Sequence, residues 1–302
     1  MANGDEITVR LTYTPPAGAG APIVFESTSD TGISLIRGMT GFGIAPTELT
    51  YAGRAQSHGS ILTGVHLEDR ELFIPLIMDA ESIQALDELR DSLVERLNPL
   101  LGEGTLTVER IADGQLRSAK VIYKKGLEGD YGDEYWGDWQ TFGVTFAMGE
   151  AFWNGPETKV EWSLVNKGKP LVSNSVPFFP IIIGKSNVNG AYDVDIVGDA
   201  PAYPVWTITG PATDIRITNN VTGQKIQING EVKIGETITV DTRNYTLSGT
   251  SRTENELWDA LSLDSTLFPL QKGKNSITAV ATGLTSESKI AAAYRQQFLK
   301  GY

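Results

Sequence analysis

The chain has no cysteine, which removes disulfide frameworks, thiol catalysis, iron–sulfur clusters and cysteine-bound zinc together. Histidine is almost as scarce: His58 and His66 are the only two. Their spacing fits no ligand pair on one helix face and neither lies in a His-Glu-x-x-His frame, so both are expected at turn or surface positions. Long apolar runs are missing as well, and nothing approaches the roughly 20 residues of a membrane-spanning helix. Met1-Ala2-Asn3-Gly4-Asp5-Glu6 carries neither a basic stretch nor an apolar core. The expectation is a chain without a secretory signal or membrane insertion, made in a cytoplasm. No Gly-x-Ser-x-Gly elbow, Walker motif or dinucleotide fingerprint occurs. Carboxylate pairs such as Glu68-Asp69 and Asp133-Glu134 are too common among 37 acidic residues to single out glycosidase chemistry. The sequence therefore predicts no enzyme: no catalytic residue, no metal site and no cofactor.

What is present is length, charge asymmetry and alternation. At 302 residues the chain suits two domains of about 150. Residues 1–152 hold 11 Lys and Arg against 23 Asp and Glu, whereas residues 153–302 hold 14 of each. A net negative half argues against holding phosphate backbones, so no sequence-specific nucleic-acid binding is expected; solubility alone is the plainer account of the charge.

The densest pattern runs from residue 199 to 277. Val205-Trp206-Thr207-Ile208-Thr209 stops at Gly210-Pro211; Ile215-Arg216-Ile217-Thr218 turns at Asn219-Asn220-Val221-Thr222-Gly223 into Ile226-Gln227-Ile228. After Asn229-Gly230 comes Gly235-Glu236-Thr237-Ile238-Thr239-Val240-Asp241-Thr242. Period-two alternation places Ile215, Ile217, Ile226, Ile228, Ile238 and Val240 inward and Arg216, Thr218, Gln227 and Thr239 outward. That is an antiparallel sandwich, not a nucleotide-binding fold.

The ordered set Gly198-Asp199, Pro204, Ile208-Thr209-Gly210-Pro211, Gly235 to Thr242, Asn255-Glu256-Leu257-Trp258, Leu267-Phe268-Pro269-Leu270 and Gly273-Lys274-Asn275-Ser276-Ile277 resembles the C-terminal domain of siphophage distal tail proteins. The first half is similar to the N-terminal domain of the same tail-component family in the segment Arg37-Gly38-Met39-Thr40-Gly41-Phe42-Gly43 to Pro46, and in Arg70 ahead of an alternating run. It is similar again in the strand bearing Phe142, Val144, Phe146 and Met148, with Phe152-Trp153 after it. Gly38, Gly41 and Gly43 lack the Gly-Lys-Ser/Thr ending of a phosphate loop. With a bacterial host implied, the glycosylation-like Asn220-Val221-Thr222 and Asn244-Tyr245-Thr246 are discounted.

Elsewhere the first half reads as strands with one helix. Pro75 within Leu72 to Met78 predicts an edge or a bulge. Asp79 as cap and Glu81 in the first turn open a helix that ends at Asn98-Pro99. Its stripe of Ile83, Leu86, Leu89, Leu93, Val94 and Leu97 packs on the sheet or, alternatively, meets a partner. A hairpin forms about Asp113-Gly114. The acidic, aromatic run Glu128 to Trp139 admits three readings: a calcium loop, a sugar platform on Trp136 and Trp139, or a solvated hairpin tip. Asn154-Gly155-Pro156 supplies a break, giving domains 1–152 and 153–302. Residues 286–301 have helix-favouring composition, but the resemblance implies a final strand, which is the expectation adopted.

The resemblance implies a mainly β protein: an N-terminal sandwich-like, ring-forming domain with one helix, then a galectin-like antiparallel sandwich. It implies a structural hub of a long non-contractile tail, a homohexameric ring at the tail tip of the virion. Its implied partners are further copies of itself, the tail tube protein, the tail-tip hub protein and receptor-binding or baseplate proteins. The alternative is a carbohydrate-binding, lectin-like host-recognition protein, which the galectin-like fold and six tryptophans invite; Trp206 and Trp258, however, both sit in apolar surroundings expected to be core.

Overall fold

The computed structural model describes residues 8–27, 32–128, 135–163 and 190–302. The chain divides into two compact units: unit 1 is residues 1–156 with Phe298–Tyr302, and unit 2 is residues 157–297. The expected division lay after residue 152; the observed one lies after Pro156, and five late residues join the first unit. Asn154-Gly155-Pro156 stands at this division without interrupting the strand. It lies in a continuous strand (Trp153–Ser163), where Asn154 pairs with Ser118 and its side-chain amide donates to Glu150 at 2.7 Å.

Unit 1 contains β1 (Val9–Thr14), β2 (Ile23–Phe25), β3 (Ile33–Leu35), β4 (Thr47–Gly53), β5 (Ser60–Leu67), β6 (Arg70–Asp79), α1 (Ile83–Arg96), β7 (Gly104–Arg110), β8 (Gln115–Lys125), β9 (Tyr135–Trp136) and β10 (Trp139–Met148), and the first residues of β11 (Trp153–Ser163). Antiparallel pairing runs β2–β1–β7–β8–β10–β6–β3. The two end strands meet at a Glu26–Ser34 bridge, where the Leu35 N–H donates to the Glu26 carbonyl at 2.7 Å. The sheet thus curls round a core of Leu11, Phe25, Leu72, Ile74, Leu76, Val108, Val121, Val144 and Phe146. Fully burying such a side chain stabilises by about 1.5–3 kcal/mol.

Pro75 sits inside β6, which is not an edge strand. Proline is tolerated because β3 ends opposite it. The Pro75 carbonyl accepts from Ile36, the next pairing on that side is Thr40 with Phe73, and the missing N–H falls between the two. Gly41 then passes the Glu71 backbone so closely that a Cβ would lie 2.0 Å from its carbonyl oxygen, and its φ is +88°. Gly41 thus serves chain packing.

Helix α1 is capped by Ser82, not Asp79: the Ser82 hydroxyl accepts from the Ala85 N–H at 3.2 Å, and the first turn holds no acidic residue. The chain is still extended at Asp79, whose N–H donates to Gly32, so helical geometry cannot begin there. Leu86, Leu93 and Leu97 enter the core and Leu89 packs against it, but Ile83 and Val94 stand about half exposed.

Unit 2 is a two-sheet antiparallel sandwich. One sheet orders β17 (Thr246–Gly249), β16 (Thr237–Asp241), β13 (Val205–Thr209), β19 (Lys289–Phe298) and β11; the other orders β12 (Gly190–Ile196), β18 (Gly273–Thr282), β14 (Ala212–Asn219) and β15 (Lys225–Val232). All six aliphatic residues expected inward are buried. Asn229-Gly230 is not a turn. β15 runs through it to Val232, because a bulge near Asp214, at φ +53°, turns that carboxylate onto the Gly230 N–H at 3.0 Å. Residues 289–298 form a strand despite their helical composition, and Ala292 lies opposite Trp206, where a large side chain would compete for the same space. The short helix α2 (Glu254–Ala260) opens on a capping box formed by Thr253 and Glu256.

Candidate assembly surface

Chemistry is scarce among the described residues, where no cluster of His, Asp and Glu could hold a metal ion. No helix among them is long and apolar enough to cross a membrane. His66 lies in β5 and His58 in the turn before it, both exposed. Residues 129–134 of the acidic, aromatic loop fall outside the described set. Beyond them, Tyr135–Trp136 pairs with Gln140 and Trp139 across a turn at Gly137-Asp138. Trp206 is buried at 0 % exposure, as expected, whereas Trp258 is 38 % exposed, and its indole N–H is directed to Glu254 at 3.3 Å. It lies on the outer side of α2, where Leu257 takes the core position.

The feature that does stand out is the hairpin β4–β5. These two strands pair only with each other. Every residue of β4 is exposed, and β5 is exposed or half-buried throughout. The register pairs Leu49 with Val65 and, after a bulge at Thr50/Tyr51, Tyr51 with Leu62. Thr63 is the extra residue, and its hydroxyl donates to the Thr50 carbonyl at 3.0 Å. Without the bulge, Leu62 would point opposite to Val65, since one residue of slip exchanges the faces. With it, Leu49, Tyr51, Leu62 and Val65 share one face, exposed at 46, 55, 49 and 61 %. Ile61 is on the other face at 53 %, and Ile44 precedes the arm at 67 %.

A lone two-stranded hairpin is marginal in water, and both of its outer edges carry unpaired backbone groups. An arm of this length with four large apolar residues on one face is a surface that awaits a partner. The sequence reading missed β4. Alternation from Leu49 to Tyr51 is short, and the tip Arg54-Ala55-Gln56-Ser57-His58 lacks an Asn-Gly type turn; the one available signal was Leu49-x-Tyr51 facing Leu62-x-x-Val65.

A second surface is the outer side of α1. Glu88, Asp91 and Glu95 are exposed at three- and four-residue spacing, while Asp87 is paired with Arg90 at 2.7 Å. Like charges so spaced weaken a helix by a few tenths of a kcal/mol per pair. Part of the acidic excess of the first half is therefore concentrated on this helix.

Comparison with known proteins accords with this architecture. Residues 23–127 match the phage tail protein RIFT-related domain, and residues 197–298 match the siphovirus-type tail component C-terminal domain. No curated protein sequence matches the chain. Among solved structures, the crystal structure of the Dit protein (gp 19.1) of phage SPP1, a paradigm of the hub adsorption apparatus in phages infecting Gram-positive hosts, superposes with a TM-score of 0.64 at 13 % identity. That match covers 97 % of this chain and 100 % of that one. A chain of the phage p2 baseplate in its activated conformation follows at 0.53 and 10 %, covering 95 % and 98 %. At such identities the likeness is one of fold, while the two domain matches together take in about two thirds of the 302 residues. With both of its units so matched, in the order the fold requires, the chain belongs to the siphovirus-type distal tail component family of phage tail and baseplate hub proteins.

Proposed function

We propose that the protein is the structural hub at the tip of a long non-contractile tail, a six-fold ring formed through unit 1. The ring joins the tail tube to the tail-tip hub protein and to the receptor-binding apparatus, and it is made in the host cytoplasm and carried in the virion. The observation that supports self-assembly is the β4–β5 arm. Laid on a different patch of a second copy, its apolar face makes a contact between two unlike surfaces. Such a heterologous contact closes into a ring when its rotation divides the circle. Obligate contacts of this kind bury about 2,000 Å² or more, which an arm laid across a neighbour helps to supply. The acidic excess of residues 1–152 suits a ring through which a phosphate duplex passes without being held.

The test is negative-stain microscopy and sedimentation of the protein, alone and with the tail tube and tail-tip hub proteins. Closed rings in either setting support the proposal. A chain that stays monomeric with both partners present overturns it, and duplex binding at micromolar concentration in low salt overturns the account of the charge. In the sandwich Trp162 and Trp206 are core and closed to a sugar ring, and Trp258 alone of the three is exposed.

A further inference from the structure

Unit 1 is completed by residues that follow unit 2 in the sequence. From Phe298 onward the chain returns to unit 1, and each of its residues there is held by a specific contact. The Phe298 ring lies beneath the Arg117 guanidinium, 4.0 Å from carbon to centroid. The Leu299 carbonyl accepts from Arg70 at 3.5 Å and the Lys300 carbonyl from Arg117 at 2.6 Å. Gly301 is buried, and its N–H donates to the Phe42 carbonyl at 2.8 Å. Tyr302 leans on Phe42 at 6.0 Å between centroids, and Phe42 in turn stacks on Trp153 at 5.6 Å.

The receptor side has the features of a built site. Phe42 and Trp153 are 2 % and 0 % exposed, and Arg70 and Arg117 are 5 % and 9 % exposed. The Arg70 guanidinium also donates to the carbonyls of Gly43 and Ala151, so one planar fork ties together three separate stretches of chain. Burial lowers the pKa of Arg70 from its ordinary value. A lysine has no such fork and could not span the three acceptors. The fit is also steric: a Cβ on Gly301 would come within 3.0 Å of the Trp153 ring and 3.4 Å of Phe42. Any larger residue here would require the Trp153 ring to give way.

We infer that unit 1 carries a binding slot for an extended peptide of the pattern aromatic-x-x-Gly-aromatic, filled in cis by residues 298–302, and that filling it orders the Phe42 loop, Arg70 and Trp153. If unit 1 forms the ring, as proposed above, its assembly waits until the chain has passed through unit 2. A copy lacking a placed segment keeps the Arg70 bonds to Gly43 and Ala151 but loses those from Arg70 to Leu299 and from Arg117 to Lys300.

The test uses the full chain with residues 298–302 replaced by Gly-Ser-Gly-Ser-Gly, and separately F298A and G301A. Hydrogen exchange is followed at Gly41–Gly43, Arg70–Leu72 and Ala151–Asn154, with Val205–Thr209 of unit 2 as reference. The expected result is exchange faster by about tenfold or more at the unit 1 sites in the replaced chain, with unit 2 unchanged. The point variants should show smaller effects in the same places. Synthetic Phe-Leu-Lys-Gly-Tyr at millimolar concentration, the range of effective concentration for a tethered ligand, should restore protection, and Phe-Leu-Lys-Leu-Tyr should not. Wild-type exchange in the replaced chain, or equal rescue by both peptides, overturns the slot. Rings formed equally well by the replaced chain overturn its coupling to assembly. Faster exchange in the replaced chain, together with a wild-type protein that never assembles, overturns the ring and leaves the slot standing.

Discussion

The two units solve the same problem, a largely antiparallel β-fold in water, in opposite ways. Unit 2 covers the edge at β15. Outside β15, Leu261 bridges Ile228, Ser262 donates to Gln227 and Thr266 donates to Lys225, so a loop satisfies backbone groups that an edge strand would expose. Even its buried polar pair is self-contained: the Asn219 amide donates to Asn275 at 3.0 Å, and Asn275 is used further by Gln271, Gly273 and Val194. Unit 1 closes its main sheet as thoroughly, yet extends a hairpin whose apolar face nothing covers. Its half of the sequence also holds the acidic excess. The difference bears on the proposed assembly: the apolar hairpin face left uncovered belongs to unit 1.

The sharpest way to break that comparison is to make the hairpin polar. The combined change Leu49→Ser, Tyr51→Ser, Leu62→Ser and Val65→Ser should abolish rings, seen by sedimentation and microscopy, while circular dichroism and the melting of both units stay near wild type. Four serines on exposed positions of unit 2 should leave assembly unchanged. Rings that survive the hairpin change would move the interface elsewhere.

Core truncation comes next. Trp206→Ala in unit 2 and Phe146→Ala in unit 1 should each cost about 3–5 kcal/mol in their own unit. Calorimetry should show one transition falling and the other holding. If both fall together in each variant, the units are one cooperative body and the contrast between them is energetic fiction.

Helix α1 separates two capping assignments at smaller scale. Ser82→Ala should lower the stability of unit 1 by about 1 kcal/mol, and Asp79→Ala should cost less than Ser82→Ala, by denaturant titration. The reverse order would restore Asp79 as the cap.

The smallest effect concerns acid. Hydrogen bonding and charge from Arg110, in the β7–β8 turn, hold the Asp113 carboxyl down at about 2, below its ordinary 3.8. A carboxyl depressed in the folded state contributes stability above its unfolded pKa and loses it as pH falls through the folded one. Unit 1 should therefore lose this contribution between about pH 4 and 2, and Asp113→Asn should remove that part of the slope. The group is exposed, so the difference between the two acid titrations should be slight.

Much of this protein is a consequence of local pattern. Alternation at Ile215, Ile217, Ile226, Ile228, Ile238 and Val240 determined the buried face of the sandwich, because side chains on a strand repeat every two residues whatever lies beyond. The leucine spacing of α1 determined a helix with a core-facing stripe for the same kind of reason. Tertiary structure decided the rest. The choice of Ser82 over Asp79 depends on where Asp79 is tied to Gly32 in the sheet. The passage of β15 through Asn229-Gly230 depends on Asp214 in the neighbouring strand. Residues 289–298 are a strand because β13 presents Trp206 to Ala292. The hairpin's apolar face needed a bulge that only the pairing of Thr50 with Gly64 reveals, and the slot for residues 298–302 brings Arg70, Arg117, Phe42 and Trp153 together from four separate stretches of chain. Periodicity is written into neighbouring residues, but register, capping competition and long-range closure are set by groups far apart in sequence, and only folding brings them into contact.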